Sequence, residues 1–183
     1  MNKIFVLSEE NTKSLLEMEE VIETVENVYK EKSLGSGKVF PLVFHEFERA
    51  VADMDIKSGT LDAMGVYGLK LVSWFGENQK KNIPALSGSV MIFDRKTGLP
   101  LGLINAEHMT GMRTGAAGAI GAKVLARKDS EVMLMVGAGH QAAYQIRAMQ
   151  AVFPNLKKVM VHDPIQFENA SRFVKDFSYK KEG

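Results

Sequence analysis

Apolar positions along this chain change period several times, and each change marks a different element. Residues 4–7 form a short apolar run that predicts a strand, with Ser8 placed to cap the turn behind it. Val21, Ile22, Val25, Val28 and Tyr29 then recur at helical spacing among glutamates, the pattern of an amphipathic helix with a solvated acidic face. Gly35-Ser36-Gly37 ends it in a loop. Residues 39–47 and 65–74 read as strands, and 76–84, rich in Asn and Lys, as a loop. Residues 89–93 and 101–104 are strands joined through Asp94-Arg95-Lys96-Thr97-Gly98, which predicts a hairpin.

Near Ala106 the character changes. Residues 107–127 predict a long helix poor in bulky side chains, with Gly115, Ala116, Ala117, Gly118, Ala119, Gly121 and Ala122 in succession. Glycine costs a helix about 1 kcal/mol relative to alanine, so several together imply a close neighbour on the backbone. A charged loop, 127–130, leads to the buried-type strand Val132–Val136. The division expected is a first domain over 1–113 and a second over 114–183.

That strand runs directly into Gly137-Ala138-Gly139-His140-Gln141-Ala142, and a helix follows with apolar residues at Ala142, Ile146, Met149 and Val152. Pro154-Asn155 breaks it, a second buried strand covers 159–161, and Asp163 stands at its end. Strand, glycine turn, helix, strand and terminal acid in this order predict a dinucleotide site. Gly137 makes the tight turn, Gly139 admits a pyrophosphate to the backbone, and the helix N-terminus offers N–H groups to phosphate. Asp163 would accept from ribose hydroxyls and repel a 2′-phosphate, which favours NAD over NADP. The bland alternative is a tight strand-to-helix turn that holds no ligand.

Composition narrows the classes. The 183 residues are 45% hydrophobic, enough for a folded core. Lys+Arg 23 against Asp+Glu 22 gives no footprint for nucleic acid or an anionic membrane. The absence of cysteine removes disulfides, thiol catalysis and zinc–cysteine sites. No histidine pair has metal-ligand spacing, so no metal is expected. No leader or membrane-length apolar run is present, and the expected location is the cytoplasm.

Several blocks together resemble the ornithine cyclodeaminase/mu-crystallin family. They are Gly68-Leu69-Lys70, Asn78 followed by Ile83-Pro84, residues 94–103 leading into Met109-Thr110-Gly111-Met112-Arg113-Thr114-Gly115-Ala116-Ala117, and Val136-Gly137-Ala138-Gly139-His140-Gln141-Ala142. The resemblance implies an α/β protein: an N-terminal α+β domain for substrate binding and homodimerisation, then a Rossmann domain for NAD(P). It implies hydride exchange between nicotinamide and the α-carbon of a small amino or imino acid, by an oxidoreductase or a cyclodeaminase. Lys70 matches the lysine on the substrate carboxylate, and Arg113 the arginine between substrate and nicotinamide. Thr114 matches its cofactor-side neighbour, His140 and Gln141 the positions over the pyrophosphate, and Asp163 the ribose acid. Both Lys70 and Arg113 suit a carboxylate; the bland alternatives are a strand lysine reaching solvent and an ordinary ion-pair arginine.

The chain also departs from the family pattern. Where many members carry an arginine after the first Gly-rich loop it offers Lys38 or His45, and where cyclodeaminases place a hydroxyl it has Ala85; both weaken ornithine as substrate. From Glu131 onward there is room for two strands and their helices, the first part of a Rossmann sheet. The family's acid–base aspartate belongs to the part not reached, so no catalytic residue is assigned. The expectation is a truncated chain, inactive alone. Residues 40–55 and 72–76 resemble a subgroup named after a tyramine oxidase component, which keeps a non-catalytic accessory or ligand-binding role, as in mu-crystallin, as the alternative.

Overall fold

The computed structural model describes residues 3–165 and 167–177, apart from the Asp176 side chain. The chain divides into two compact units. One holds the residues up to Leu16 and Asn27–Thr110; the other holds Glu17–Glu26 and the residues from Gly111 onward. Helix α2, Met18–Ser33, contributes to both; it begins with Glu19 and Glu20 and ends with Lys30 and Lys32, each sign at the favourable end of the helix dipole.

The first unit is built on a seven-stranded sheet. Strand β1, Phe5–Leu7, lies parallel to β7, Pro100–Asn105, which continues antiparallel through β6, Leu86–Asp94, and β5, Val66–Phe75, to β4, Ala52–Leu61. Two short strands, β2 (Gly37–Val39) and β3 (Val43–Glu48), both pair with β4. Helix α1, Glu9–Leu15, follows β1 and opens with a capping box: Ser8 accepts from the Asn11 N–H at 3.2 Å while the Asn11 side chain accepts from the Ser8 N–H at 3.0 Å.

Three stretches differ from expectation. The single strand predicted over 39–47 is interrupted, because Pro41 has no N–H to give the ladder. Phe40 still donates to the Ser58 carbonyl at 2.9 Å, and between the Val39–Gly59 and Val43–Ile56 pairs three residues then face two, as in a bulge. Strand β4 is absent from the sequence reading altogether. The 76–84 stretch, predicted as a loop, contains a short 3-10 helix, Gly76–Lys81.

The predicted hairpin is β6–β7. Asp94 organises its turn: the carboxylate accepts from Thr97 Oγ1 and the Thr97 N–H at 2.7 Å each and from the Lys96 N–H at 3.0 Å. The Thr97 hydroxyl first, then these N–H donors, hold the Asp94 carboxyl below its ordinary value. A depressed carboxylate pKa stabilises the fold above the unfolded value, and that contribution disappears as pH falls through the folded one. Asp94→Asn should therefore melt a few degrees lower at neutral pH, with the gap closing on acidification; a gap unchanged by pH would assign the effect to shape rather than charge.

The second unit carries β8 (Val132–Val136) parallel to β9 (Lys158–His162), joined by α4, His140–Val152, in a βαβ crossover, followed by α5, Phe167–Asp176. Helix α3, Glu107–Leu125, packs its small residues against α4. A Cβ at Gly115 would come within 2.6 Å of the Tyr144 carbonyl oxygen, Gly111 faces the Tyr144 ring, and Gly118 faces the Gln145 side chain. The glycines thus permit an approach closer than side chains allow. Ala116, Ala119, Ile146 and Ala148 are fully enclosed around this contact. The chain is therefore mixed α/β: an α+β unit followed by the first part of a Rossmann-like fold.

Candidate carboxylate cleft and dinucleotide turn

Lys70 sits in the middle of β5, flanked by β4 and β6. In a strand, side chains alternate between faces and directly paired residues share one. Lys70 pairs with Lys57 on β4 and Val90 on β6, so all three stand on one face. The next pair on the same face is Gly59 with Gly68. A Cβ at Gly59 would lie 2.5 Å from the Lys38 carbonyl oxygen, and one at Gly68 2.7 Å from that of Met91. The crowded neighbouring strands thus forbid side chains there, and the bare rung floors a cleft of about 540 Å³ walled by Val39, Phe40, Leu42 and Val90, with Lys57 and Lys70 as its cations. A second cleft of about 340 Å³ shares Val39, Gly59 and Gly68 and is closed by Val28 and Lys32 of α2.

Lys70 is half-buried. Lys57 is more open, and its Nζ lies 2.7 Å from Asp55 Oδ1. The two substitutes considered for the family arginine stand elsewhere by register. Lys38 pairs with Thr60 and His45 with Met54, positions that alternate with Lys57 to the opposite face. Sequence reasoning missed Lys57 because it missed β4. The signal was available in Ala52-Asp53-Met54-Asp55-Ile56-Lys57, which alternates apolar and charged residues with the strand period.

In the second unit, β8 ends at Val136 and is followed by Gly137, whose φ of 96° favours glycine. Its N–H donates to the His162 carbonyl at 2.7 Å, carrying the β8–β9 ladder one bond further. Gly139 is the N-cap of α4 and brings no side chain to it. Nothing lies within 4 Å of where a Cβ on Gly137 or Gly139 would stand, so the space over the turn is open. Asp163 reaches into the same turn: Oδ2 accepts from the Ala138 N–H at 3.2 Å and Oδ1 from the Ile165 N–H at 3.0 Å.

Helices α1, α2, α3 and α5 each carry an acid in the first turn; α4 carries none. Its positive end is left without an acid of its own in that turn. Gln141 Oε1, in that turn, is buried without a hydrogen-bond partner among the described residues. The open space over the turn and the N–H groups at the start of α4, whose first turn carries no acid, fit a dinucleotide's pyrophosphate, with Asp163 placed for a ribose.

The structure thus brings Gly137, Gly139, His140, Gln141 and Asp163 to one turn. Thr114 is tied to the helix rising from it, its carbonyl accepting from Gln145 Nε2 at 3.1 Å. Gln145 is a second residue that sequence reasoning did not single out. Arg113 lies exposed on α3 in the second unit, and Lys70 lies in the first. Among the described residues no cluster of three His, Asp or Glu could hold a metal, and no helix is long and apolar enough to cross a membrane.

A family model described as "Ornithine cyclodeaminase/mu-crystallin family" matches residues 2–182. Alanine dehydrogenase of Archaeoglobus fulgidus is 35% identical over 92% of this chain and 51% of its own. The solved Δ1-pyrroline-2-carboxylate reductase of Thermococcus litoralis, in complex with NADH and L-proline, superposes with a TM-score of 0.87 at 36% identity, over 94% of this chain and 53% of that one. An archaeal alanine dehydrogenase dimer with bound NAD matches with a TM-score of 0.87 at 35% identity, over 94% and 52%. The chain spans about half the length of the relatives it matches.

Proposed function

The chain belongs to the ornithine cyclodeaminase/mu-crystallin family, and from that premise we propose that it supplies the substrate cleft and pyrophosphate turn of an NAD-dependent oxidoreductase of small amino or imino acids. The observation that carries the reading is the open glycine turn at the start of α4, whose first turn carries no acid of its own, with Asp163 accepting from the Ala138 N–H beside it. NAD supplies the hydride exchange at the substrate's α-carbon. Gly137 and Gly139 leave room for the pyrophosphate, and the first N–H groups of α4, at His140 and Gln141, bind it. Asp163 takes the ribose hydroxyls, and its charge opposes a 2′-phosphate. Lys70 holds the substrate's α-carboxylate. Arg113 and Thr114 are assigned to the substrate and cofactor sides of the nicotinamide, and the protein acts in the cytoplasm.

No residue of the chain is assigned the acid–base step. Residues 1–183 are expected to bind NADH in preference to NADPH, and to oxidise none of it with pyruvate plus ammonium or with a cyclic imino acid. Equal affinity for both cofactors, unchanged by Asp163→Ser, would overturn the Asp163 assignment; turnover by these residues alone would overturn the missing acid–base step. A form extended to the relatives' length should turn over an imino acid. Cofactor binding with no turnover across a broad panel would favour the accessory role.

The same reading includes a homodimer. Val6, Val43, Leu71 and Leu103 lie by register on the sheet face opposite Lys70, exposed by 70%, 51%, 36% and 38%. Contiguous apolar exposure of this kind marks an interface. Light scattering should give twice 20.2 kDa, and Leu71→Asp with Leu103→Asp should halve it; a monomer at micromolar concentration would sink the dimer.

A further inference from the structure

We propose that Lys57 is a second substrate-binding cation, which leaves Asp55 on binding and shares the substrate's carboxylate with Lys70. The inference rests on the assignment of Lys70 to that carboxylate. Lys57 and Lys70 are directly paired across β4 and β5 and line the same cleft. Like charges in that position repel, and an anion between them converts the repulsion into two attractions. A carboxylate has two oxygens and acceptor sites for both ammoniums. The Gly59–Gly68 rung beside the pair has no side chain to compete for the space.

The present partner of Lys57 does not preclude the exchange. The Lys57–Asp55 pair is solvent-accessible, with side chains exposed by 56% and 26%. Pairs of that kind contribute little, so an incoming carboxylate replaces Asp55 at small cost. Asp55 thereby becomes a competitor for Lys57, and its removal strengthens anion binding. This gives the two neighbours opposite effects, which a structural role for the ion pair would not produce.

The test is titration of pyruvate into the 15N-labelled chain, followed at the Gly59 and Gly68 amides, with pyruvamide as the uncharged control. Lys57→Met should weaken pyruvate binding about fivefold, and Asp55→Asn should strengthen it about twofold. Lys57→Arg should retain affinity, and the gain from Asp55→Asn should vanish in the double variant with Lys57→Met. If Lys70→Met weakens binding while Lys57→Met and Asp55→Asn leave it unchanged, this proposal fails and the assignment of Lys70 stands. If Lys70→Met also has no effect, or pyruvate produces no saturable shift at these amides, both fail.

Discussion

Gly139→Asp should stabilise the chain and abolish its affinity for NADH. The backbone at Gly139 has φ −82° and ψ −173°, extended geometry open to any residue, and a Cβ there meets nothing within 4 Å. The position is the N-cap of α4, where aspartate is preferred over glycine by about a few tenths of a kcal/mol. Its charge would also answer the helix dipole, which no acid in the first turn now does. The carboxylate would then occupy the space proposed for the pyrophosphate and take its N–H donors. Affinity should fall at least about a hundredfold, equivalent to about 2.8 kcal/mol. Thermal melting and NADH fluorescence titration on the same sample separate the two effects. A higher melting temperature with NADH affinity intact would place the dinucleotide elsewhere.

Three glycines on one helix should respond to alanine with three different outcomes. At Gly121 a Cβ meets open space, and Gly121→Ala should gain about 0.5–1 kcal/mol from helix propensity alone. At Gly118 the obstacle is the far end of Gln145. That side chain can move, but it gives up its bond to the Thr114 carbonyl, so Gly118→Ala should be close to neutral. At Gly115 the obstacle is the Tyr144 backbone carbonyl, with the Ala148 methyl beside it. Neither yields without separating α3 from α4, and Gly115→Ala should cost about 1–3 kcal/mol despite its better propensity. Urea denaturation of the three variants checks the order, and a stabilised Gly115→Ala would mean that the two helices are not in contact there.

The same helix shows where sequence reasoning stops. Its run of small residues announced a close neighbour, because several helical glycines need a reason. Whether that neighbour was a ligand or α4 depended on residues some thirty positions away, and periodicity carries no such information. The β8–turn–α4–β9 unit was legible because its signals are local: a buried strand, two glycines, a helical stripe and a second strand follow one another. Strand β4 went unread although Ala52, Met54 and Ile56 alternate with Asp53, Asp55 and Lys57 at the strand period, a signal carried by charge alternation rather than by an apolar run. Missing β4 also hid Lys57, because the pairing with Lys70 depends on register across two strands. Pro41 could have split residues 39–47 on its missing N–H alone.

The parallel pairing of β1 with β7 has a consequence for how the chain is made. Phe5 pairs with Gly102 and Leu7 with Ile104, so β1 waits for nearly the whole first unit to be synthesised before it finds its partner. Contacts between residues so distant in sequence close late, after the local β4–β5 and β6–β7 hairpins have formed. During that interval Ile4, Phe5 and Val6 form an unpaired apolar segment that other edge strands can capture. Even in the finished fold these residues remain largely exposed, at 51%, 70% and 70%. The amino terminus should accordingly be the last part of the sheet to gain hydrogen-exchange protection and the first to lose it.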